Sequence, residues 1–174
     1  MGKPLSEMTL EELWELFPII LEEHNERWKD LYNEEESRLL TFLPEADSLR
    51  IHHIGSTAVE SIWAKPIVDI LVEAPEGSME HIKESLIKCG YICMSDSINR
   101  KSFNLGYTSE GFAEKVFHLH LRRYGDNDEL YFRDYMNDHP DLAKQYELLK
   151  LSLWKQFEHD RDGYTAVVLK LLPK

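Results

Sequence analysis

The chain has 174 residues, 43% hydrophobic and 30% charged, with a net charge of −12 at pH 7. This is the balance of an ordinary globular domain, long enough to bury a sizeable core. The acidity excludes a broad electrostatic nucleic-acid surface, and no run approaches the roughly 18 apolar residues that cross a bilayer.

Met1-Gly-Lys-Pro-Leu-Ser-Glu-Met8 lacks the apolar core of a signal peptide, which sets a cytoplasmic expectation. Thr9 with Glu12 three residues later is a capping-box pair, predicting a short helix that Pro18 stops. Behind Pro18, the run Ile19-Ile-Leu21 predicts a strand over 19–22. Asn25 caps a helix over 25–43, in which Trp28, Leu31, Tyr32, Leu39, Leu40 and Leu43 recur near helical spacing and read as core. A strand over 49–54 follows. Then comes Pro66-Ile-Val-Asp-Ile-Leu-Val-Glu-Ala74, a nearly unbroken aliphatic run of the kind a central strand covered on both faces presents.

Gly77 and Ser78 lead into a helix through Lys88, ended by Gly90. Short strands are predicted over 91–94 and 101–107, the second with Phe103, Leu105 and Tyr107 on one face. A turn at Ser109-Glu-Gly111 returns the chain as a hairpin into Lys115-Val-Phe-His-Leu-His-Leu-Arg122. There, alternation sets Phe117, Leu119 and Leu121 against Val116, His118, His120 and Arg122. Gly125-Asp-Asn-Asp128 breaks the pattern. Helices are predicted over 130–137, from Pro140 along a stripe reaching Phe157, and over 164–172. The organisation expected is one domain over 1–174, with a helical extension at 1–17 and a helical C-terminal part at 126–174. Cys89 and Cys93 fit neither a zinc knuckle nor a disulfide framework and are expected to be buried free thiols.

Three features carry chemistry. Asp69 interrupts the aliphatic strand, and a carboxylate in such surroundings must be paired, hydrogen-bonded or metal-bound; a strand-end carboxylate accepting backbone or lysine hydrogen bonds meets the same need. Gly55-Ser56-Thr57, after a strand, lets the backbone approach a ligand and can open a helix whose free N–H groups favour an anion, although its hydroxyls serve equally as ordinary caps. His118 and His120 point the same way from one strand, which suits a divalent metal shared with a neighbouring carboxylate or, more plainly, a solvated face. Lys65, Arg100, Lys101, Arg122, Arg123 and Arg133 could supply a local basic pocket.

In chain order, His53-Ile-Gly-Ser-Thr-Ala-Val59, Ala64-Lys-Pro-Ile-Val-Asp-Ile70, His118-Leu-His120, Phe132-Arg-Asp-Tyr135, His139-Pro140 and Tyr146-Glu-Leu-Leu-Lys150 resemble the GrpB family, from about residue 18 to the end. The resemblance implies the nucleotidyltransferase superfamily: an α+β, polymerase-β-like mixed sheet flanked by helices, with a helical C-terminal part. It implies Asp69 and Lys65 as catalytic residues, and His53, Gly55, Ser56, Thr57, Arg133, Tyr135 and Lys150 as substrate-binding residues. Asp69, His118 and His120 are then ligands to a divalent ion, Mg, Mn or Zn. Fusion of GrpB-like domains to dephospho-CoA kinase in some proteins implies a link to coenzyme A or nucleotide metabolism.

The chain departs from these patterns at named positions. The superfamily pairs Gly-Ser with Asp-x-Asp or Asp-x-Glu, but the second acid is replaced by Leu71, and Glu73 stands two residues further along. The family's Pro-Gly after Ala-Val is Glu60-Ser61 here. Its lysine four residues after a tyrosine becomes Val168 after Tyr164, with Lys170 beyond. Two functions are therefore expected. One is a metal-dependent, nucleotidyltransferase-like protein acting on a nucleotide or phosphorylated small molecule. The other is a catalytically inactive nucleotide- or metal-binding regulatory domain for a partner enzyme.

Overall fold

The aliphatic run beyond Lys65 forms an inner strand of a five-stranded mixed sheet, as its lack of a polar face requires. The computed structural model describes residues 2–171, with side chains as far as Val168, so Leu172 and the Lys170 side chain lie outside the described residues. The strands are β1 (Arg50–Ile54), β2 (Val68–Ala74), β3 (Ile92–Asp96), β4 (Arg100–Thr108) and β5 (Gly111–Arg123), in the order β1-β2-β5-β4-β3. β2 and β5 are parallel; the other neighbours are antiparallel. The helices are α1 (Leu10–Leu16), α2 (Arg27–Phe42), α3 (Met79–Lys88), α4 (Asp128–Asp138), α5 (Pro140–Trp154) and α6 (Arg161–Leu171). None among the described residues is long and apolar enough to cross a membrane.

Register decides which side chains meet. Val68, Ile70 and Val72 stand beside Phe117, Leu119 and Leu121, and Leu119 beside Phe103. This face packs under α2 through Trp28, Tyr32 and Leu39, and under α3 through Met79, Ile82 and Leu86. Each such side chain contributes about 1.5–3 kcal/mol on full burial. The opposite face carries Asp69 and Leu71 beside His118 and His120. Around it, Val59 and Ile62 pack with Met136 and Ala143, and Ile19 and Leu21 with Tyr164 and Val168, bringing the C-terminal helices to the site.

Several elements differ from expectation for identifiable reasons. Residues 19–22 make only an isolated bridge from Glu22 to Ala64 rather than a strand. The Ile19 N–H donates to Glu158 O at 2.8 Å and its carbonyl accepts from Trp154 Nε1 at 2.6 Å, so its polar groups are committed to the C-terminal segment. That exchange also lies where α5 ends, at Trp154 rather than Phe157. The 91–94 strand moves to 92–96, because Tyr91 is buried with its hydroxyl donating to Glu35 at 2.8 Å. Cys89 and Cys93 are free but only half-buried.

The hairpin holds the most consequential difference. Pairing between β4 and β5 shifts register between Leu105 and Tyr107, a bulge in which Gly106 faces extra residues of β5. Gly106 has φ +99°, and a Cβ there would lie 2.3 Å from Lys115 O, so both backbone conformation and space require glycine. The bulge turns Tyr107 away from the Phe103 face and onto the His118 face.

Candidate functional site

β1 ends at Ile54 and the chain swings past Asp69 at Gly55, whose φ is +75°. A Cβ on Gly55 would lie 2.4 Å from Asp69 Oδ2, so glycine here serves the close approach of turn and carboxylate. Ser56–Ala58 forms a single 3-10 turn instead of opening a longer helix, and it has no helix terminus for an anion. What it offers is the Ser56 hydroxyl.

Asp69 has both predicted histidines as neighbours. Its Oδ1 lies 3.6 Å from His118 Nδ1 and 3.6 Å from His120 Nε2. Burial raises its pKa, but His120, His118 and Lys65 more than offset that and hold the carboxyl below its usual value. His118 is pushed down to about 4, chiefly by burial and despite Asp69, so its imidazole is neutral at pH 7. Tyr107, brought over by the bulge, lies 2.6 Å from His118 Nε2. With Asp69 ionised, the tautomer that suits the surroundings has the His118 proton on Nδ1, facing the carboxylate at 3.6 Å, and the Tyr107 hydroxyl donating to Nε2.

A cavity of about 220 Å³ opens above Asp69, lined among others by Ser56, Lys65, His118, Tyr146, Lys150 and Tyr164. Lys150, 4% exposed, donates to Ser56 Oγ at 3.0 Å and stands 4.8 Å over the Tyr146 ring. Burial and then the Lys65 charge lower its pKa to about 7. Lys65 stands 5.0 Å over the Tyr164 ring, its pKa lowered to about 8 by burial and then by Arg161. Arg161 itself lies 5.5 Å over the Tyr107 ring. The Tyr164 hydroxyl is buried with no hydrogen-bond partner among the described residues.

Residues 18–170 match the GrpB protein family. The chain belongs to the GrpB family. The glutamate-rich protein GrpB of Alkalihalophilus pseudofirmus is 37% identical over 153 residues, covering 84% of this chain and 87% of that protein. The YqkA protein of Bacillus subtilis is 34% identical over 148 residues, which is 81% of this chain but 41% of that longer protein. The crystal structure of GrpB from Enterococcus faecalis superimposes with a TM-score of 0.73 at 27% identity, covering 87% of this chain and 93% of that one. Cid1, solved in complex with a UTP analog, gives a TM-score of 0.52 at 11% identity, covering 82% of this chain and 43% of Cid1. That likeness is one of nucleotidyltransferase-like fold.

Within this GrpB fold, the residues anticipated for one site are divided. Gly55, Ser56, Lys65, Asp69, His118 and Lys150 come together at the cavity, with His120 beside Asp69. His53 pairs with Ile70, which places it on the opposite sheet face, where Tyr32 stacks on it at 4.9 Å. Its Nε2 lies 2.8 Å from Thr57 Oγ1, and its carbonyl accepts from Arg133 at 3.1 Å. His53, Thr57 and Arg133 thus line a separate cavity of about 260 Å³, with Thr57 also reaching the first. Tyr135 is 52% exposed and stacks on His139 at 3.9 Å. Of the other cations considered, Arg100 pairs with Asp126, Lys101 with Glu80 and Asp96, Arg122 with Glu129, and Arg123 with Glu76.

The cavity gains Tyr146 and Thr165 as walls, with Tyr107 behind His118 and Arg161 near Lys65, none of them anticipated there from the sequence. Tyr146 and Lys150 are one helical turn apart, and Arg161, Tyr164, Thr165 and Val168 recur at helical spacing, a signal the sequence did contain. No preassembled metal cage is present: among the described residues no group of three or more His, Cys, Asp or Glu side chains is placed to hold an ion. His118 Nε2 is engaged by Tyr107 while Nδ1 faces Asp69 at 3.6 Å, and Leu71 is fully buried. Glu73 does not replace the missing acid. It is 1% exposed, 3.1 Å from His52 Nε2, and accepts from Gly125 N at 2.9 Å and Asn127 Nδ2 at 3.0 Å. The donor chemistry therefore fits one carboxylate, Asp69, contributing to an ion whose remaining ligands are phosphate oxygens and water, as Mg commonly binds.

Proposed function

We propose that the cavity binds the phosphate groups of a nucleotide or phosphorylated metabolite, and that the chain is a nucleotidyltransferase-like enzyme acting on that ligand. The carrying observation is the gathering of Lys65 and Lys150 around one small cavity, with Arg161 near enough to lower the Lys65 pKa, in a chain of net charge −12. Three cations held close, two of them with depressed pKa values, are relieved by an incoming polyanion. Lys65 and Lys150 would hold phosphate, Ser56 would add a hydrogen bond, and the unpartnered Tyr164 hydroxyl would find an acceptor. Asp69 would anchor a divalent ion arriving with the ligand, which when bound neutralises phosphate charge and polarises a phosphoryl oxygen. The neutral His118, its Nε2 accepting from Tyr107, would orient Asp69 rather than take a proton itself.

One observation favours a second reading. Leu71 stands where the second acid is expected, and Glu73 is committed to its own network, so the site offers one carboxylate where two-metal transfer uses several. On that basis the same cavity would serve a catalytically inactive, nucleotide-sensing regulatory domain.

The test is titration of the wild type and Asp69→Asn with ATP, GTP, CTP, UTP and dephospho-coenzyme A in the presence of Mg, Mn or Zn, with products followed by phosphorus NMR. Metal-dependent binding that Asp69→Asn weakens is expected. Turnover selects the enzyme and binding without turnover the regulator, while no binding under any metal rejects both.

A further inference from the structure

A second cavity, of about 270 Å³, adjoins the phosphate cavity, and the two share Lys65 and Ile67 as walls. Its lining is of another kind. Trp28, Ile67 and Val116 are buried apolar side chains, Phe112 is half-buried, and Ile20 lies at the rim with 38% exposure. The polar groups are peripheral: Arg27 pairs with Glu114 at 2.9 Å across the opening, and the Asn25 side-chain oxygen accepts from Arg27 N at 2.9 Å. An apolar floor containing two aromatic rings, with a few polar groups at its edge, is the usual make-up of a small-molecule site. Arg161 lines this cavity and not the first, so the apolar cavity has a cation of its own beside the shared Lys65.

We infer that the second cavity holds the heteroaromatic base of the nucleotide whose phosphates occupy the first, with Lys65 at the junction of the two. The inference rests on the phosphate reading of the first cavity and narrows its ligand from phosphorylated molecules at large to nucleotides. Three features select a base. A phosphate held by Lys65 and Lys150 presents its next group past Lys65, where the shared wall lies. The volume accommodates one ring system rather than a long chain, and aromatic walls suit the π-face that every base offers. Asn25 makes no other side-chain hydrogen bond among the described residues, so its amide N–H groups are available to a ring nitrogen or carbonyl.

The experiment separates the two cavities by comparing inorganic tripolyphosphate with ATP, GTP, CTP and UTP, all with Mg, by calorimetry on the full chain. Octyl phosphate and AMP form a second pair. The variants are Ala113→Trp and Ile20→Asp, both at exposed or rim positions of the apolar cavity, with circular dichroism verifying the fold. At least one nucleoside triphosphate should bind about tenfold more tightly than tripolyphosphate. Both variants should remove that gain while leaving tripolyphosphate binding unchanged. A gain that survives both variants, no gain for any base, or octyl phosphate binding more tightly than AMP overturns the base assignment and leaves the phosphate reading standing. Failure of tripolyphosphate and of every nucleotide to bind removes the phosphate reading, and this inference with it.

Discussion

Lys150 donates from Nζ to Ser56 Oγ at 3.0 Å, joining residues 94 positions apart and tying the C-terminal helices to the turn after β1. The lysine is 4% exposed, and its low pKa shows that burial disfavours its charge. Burying its charge is a cost to folding. Lys150→Met should therefore retain or raise stability, with Tm increasing by roughly 2–4 °C for each kcal/mol recovered, while phosphate-ligand affinity falls by about tenfold or more. Thermal unfolding with parallel ligand titration measures both. Lower Tm with intact binding would make Lys150 a packing residue.

Affinity should depend on pH through the same group. In the free protein Lys150 is charged only below about pH 7, against an ordinary lysine value of 10.5. A bound phosphate favours the ammonium and raises the pKa, so the favourable interaction is fully present below pH 7 and is lost as pH rises through the bound-state value. Binding between pH 7 and 9 should weaken with pH and take up as much as about one proton from this group, read from calorimetry in buffers of different ionisation enthalpy. Unfolding has its own dependence: the unfolded lysine binds more protons between about pH 7 and 10.5, so this group alone makes stability rise with pH across that window.

The Gly106 bulge can be tested apart from the hydrogen bond it enables. Gly106→Ala meets both φ +99° and the Lys115 carbonyl, and should cost about 1–3 kcal/mol by urea denaturation. Tyr107→Phe keeps the ring packed on Phe17 and Phe112, at 4.9 and 5.3 Å, and loses only the bond to His118, for about 1 kcal/mol. Nitrogen NMR of His118 should then show the two ring nitrogens becoming less distinct. An unchanged His118 spectrum in Tyr107→Phe would show that Tyr107 does not set its tautomer.

Most of the sheet was legible because aliphatic runs and alternation state which strand is buried on which faces, as at β2 and β5. The face of Tyr107 was not, since a bulge resets a period-two pattern and one glycine in a strand does not announce its register. The site was legible where it depends on strand residues close in register, Asp69 with His118 and His120. It was not legible which residues share a face across strands: His53 and Asp69 belong to adjacent strands but to opposite faces. Tyr135 and Arg133 share a helix with the packing residue Met136, and local sequence does not say how that helix is turned. Residues 19–22 look like a strand because apolar content reports burial, while the hydrogen-bond partners of Ile19 lie more than a hundred residues away.

Glu73 supplies a negative test of the site. Its buried carboxylate joins His52 to Gly125 and Asn127, far enough along β2 to serve the sheet edge rather than the cavity. Glu73→Ala should cost about 3 kcal/mol by leaving buried donors unpaired, whereas ligand affinity and its Mg dependence persist below the unfolding transition. Loss of Mg dependence in folded Glu73→Gln would instead make it the missing metal-binding acid.

The most direct measurement of the central claim is NMR titration of the Lys150 side-chain nitrogen, without and with inorganic tripolyphosphate and Mg. The account predicts a free-state pKa near 7 that moves upward on binding, with Lys150→Met identifying the resonance and abolishing the response. A Lys150 pKa near the ordinary lysine value, or one that tripolyphosphate leaves unmoved, would contradict a phosphate site at Ser56, Lys65 and Lys150.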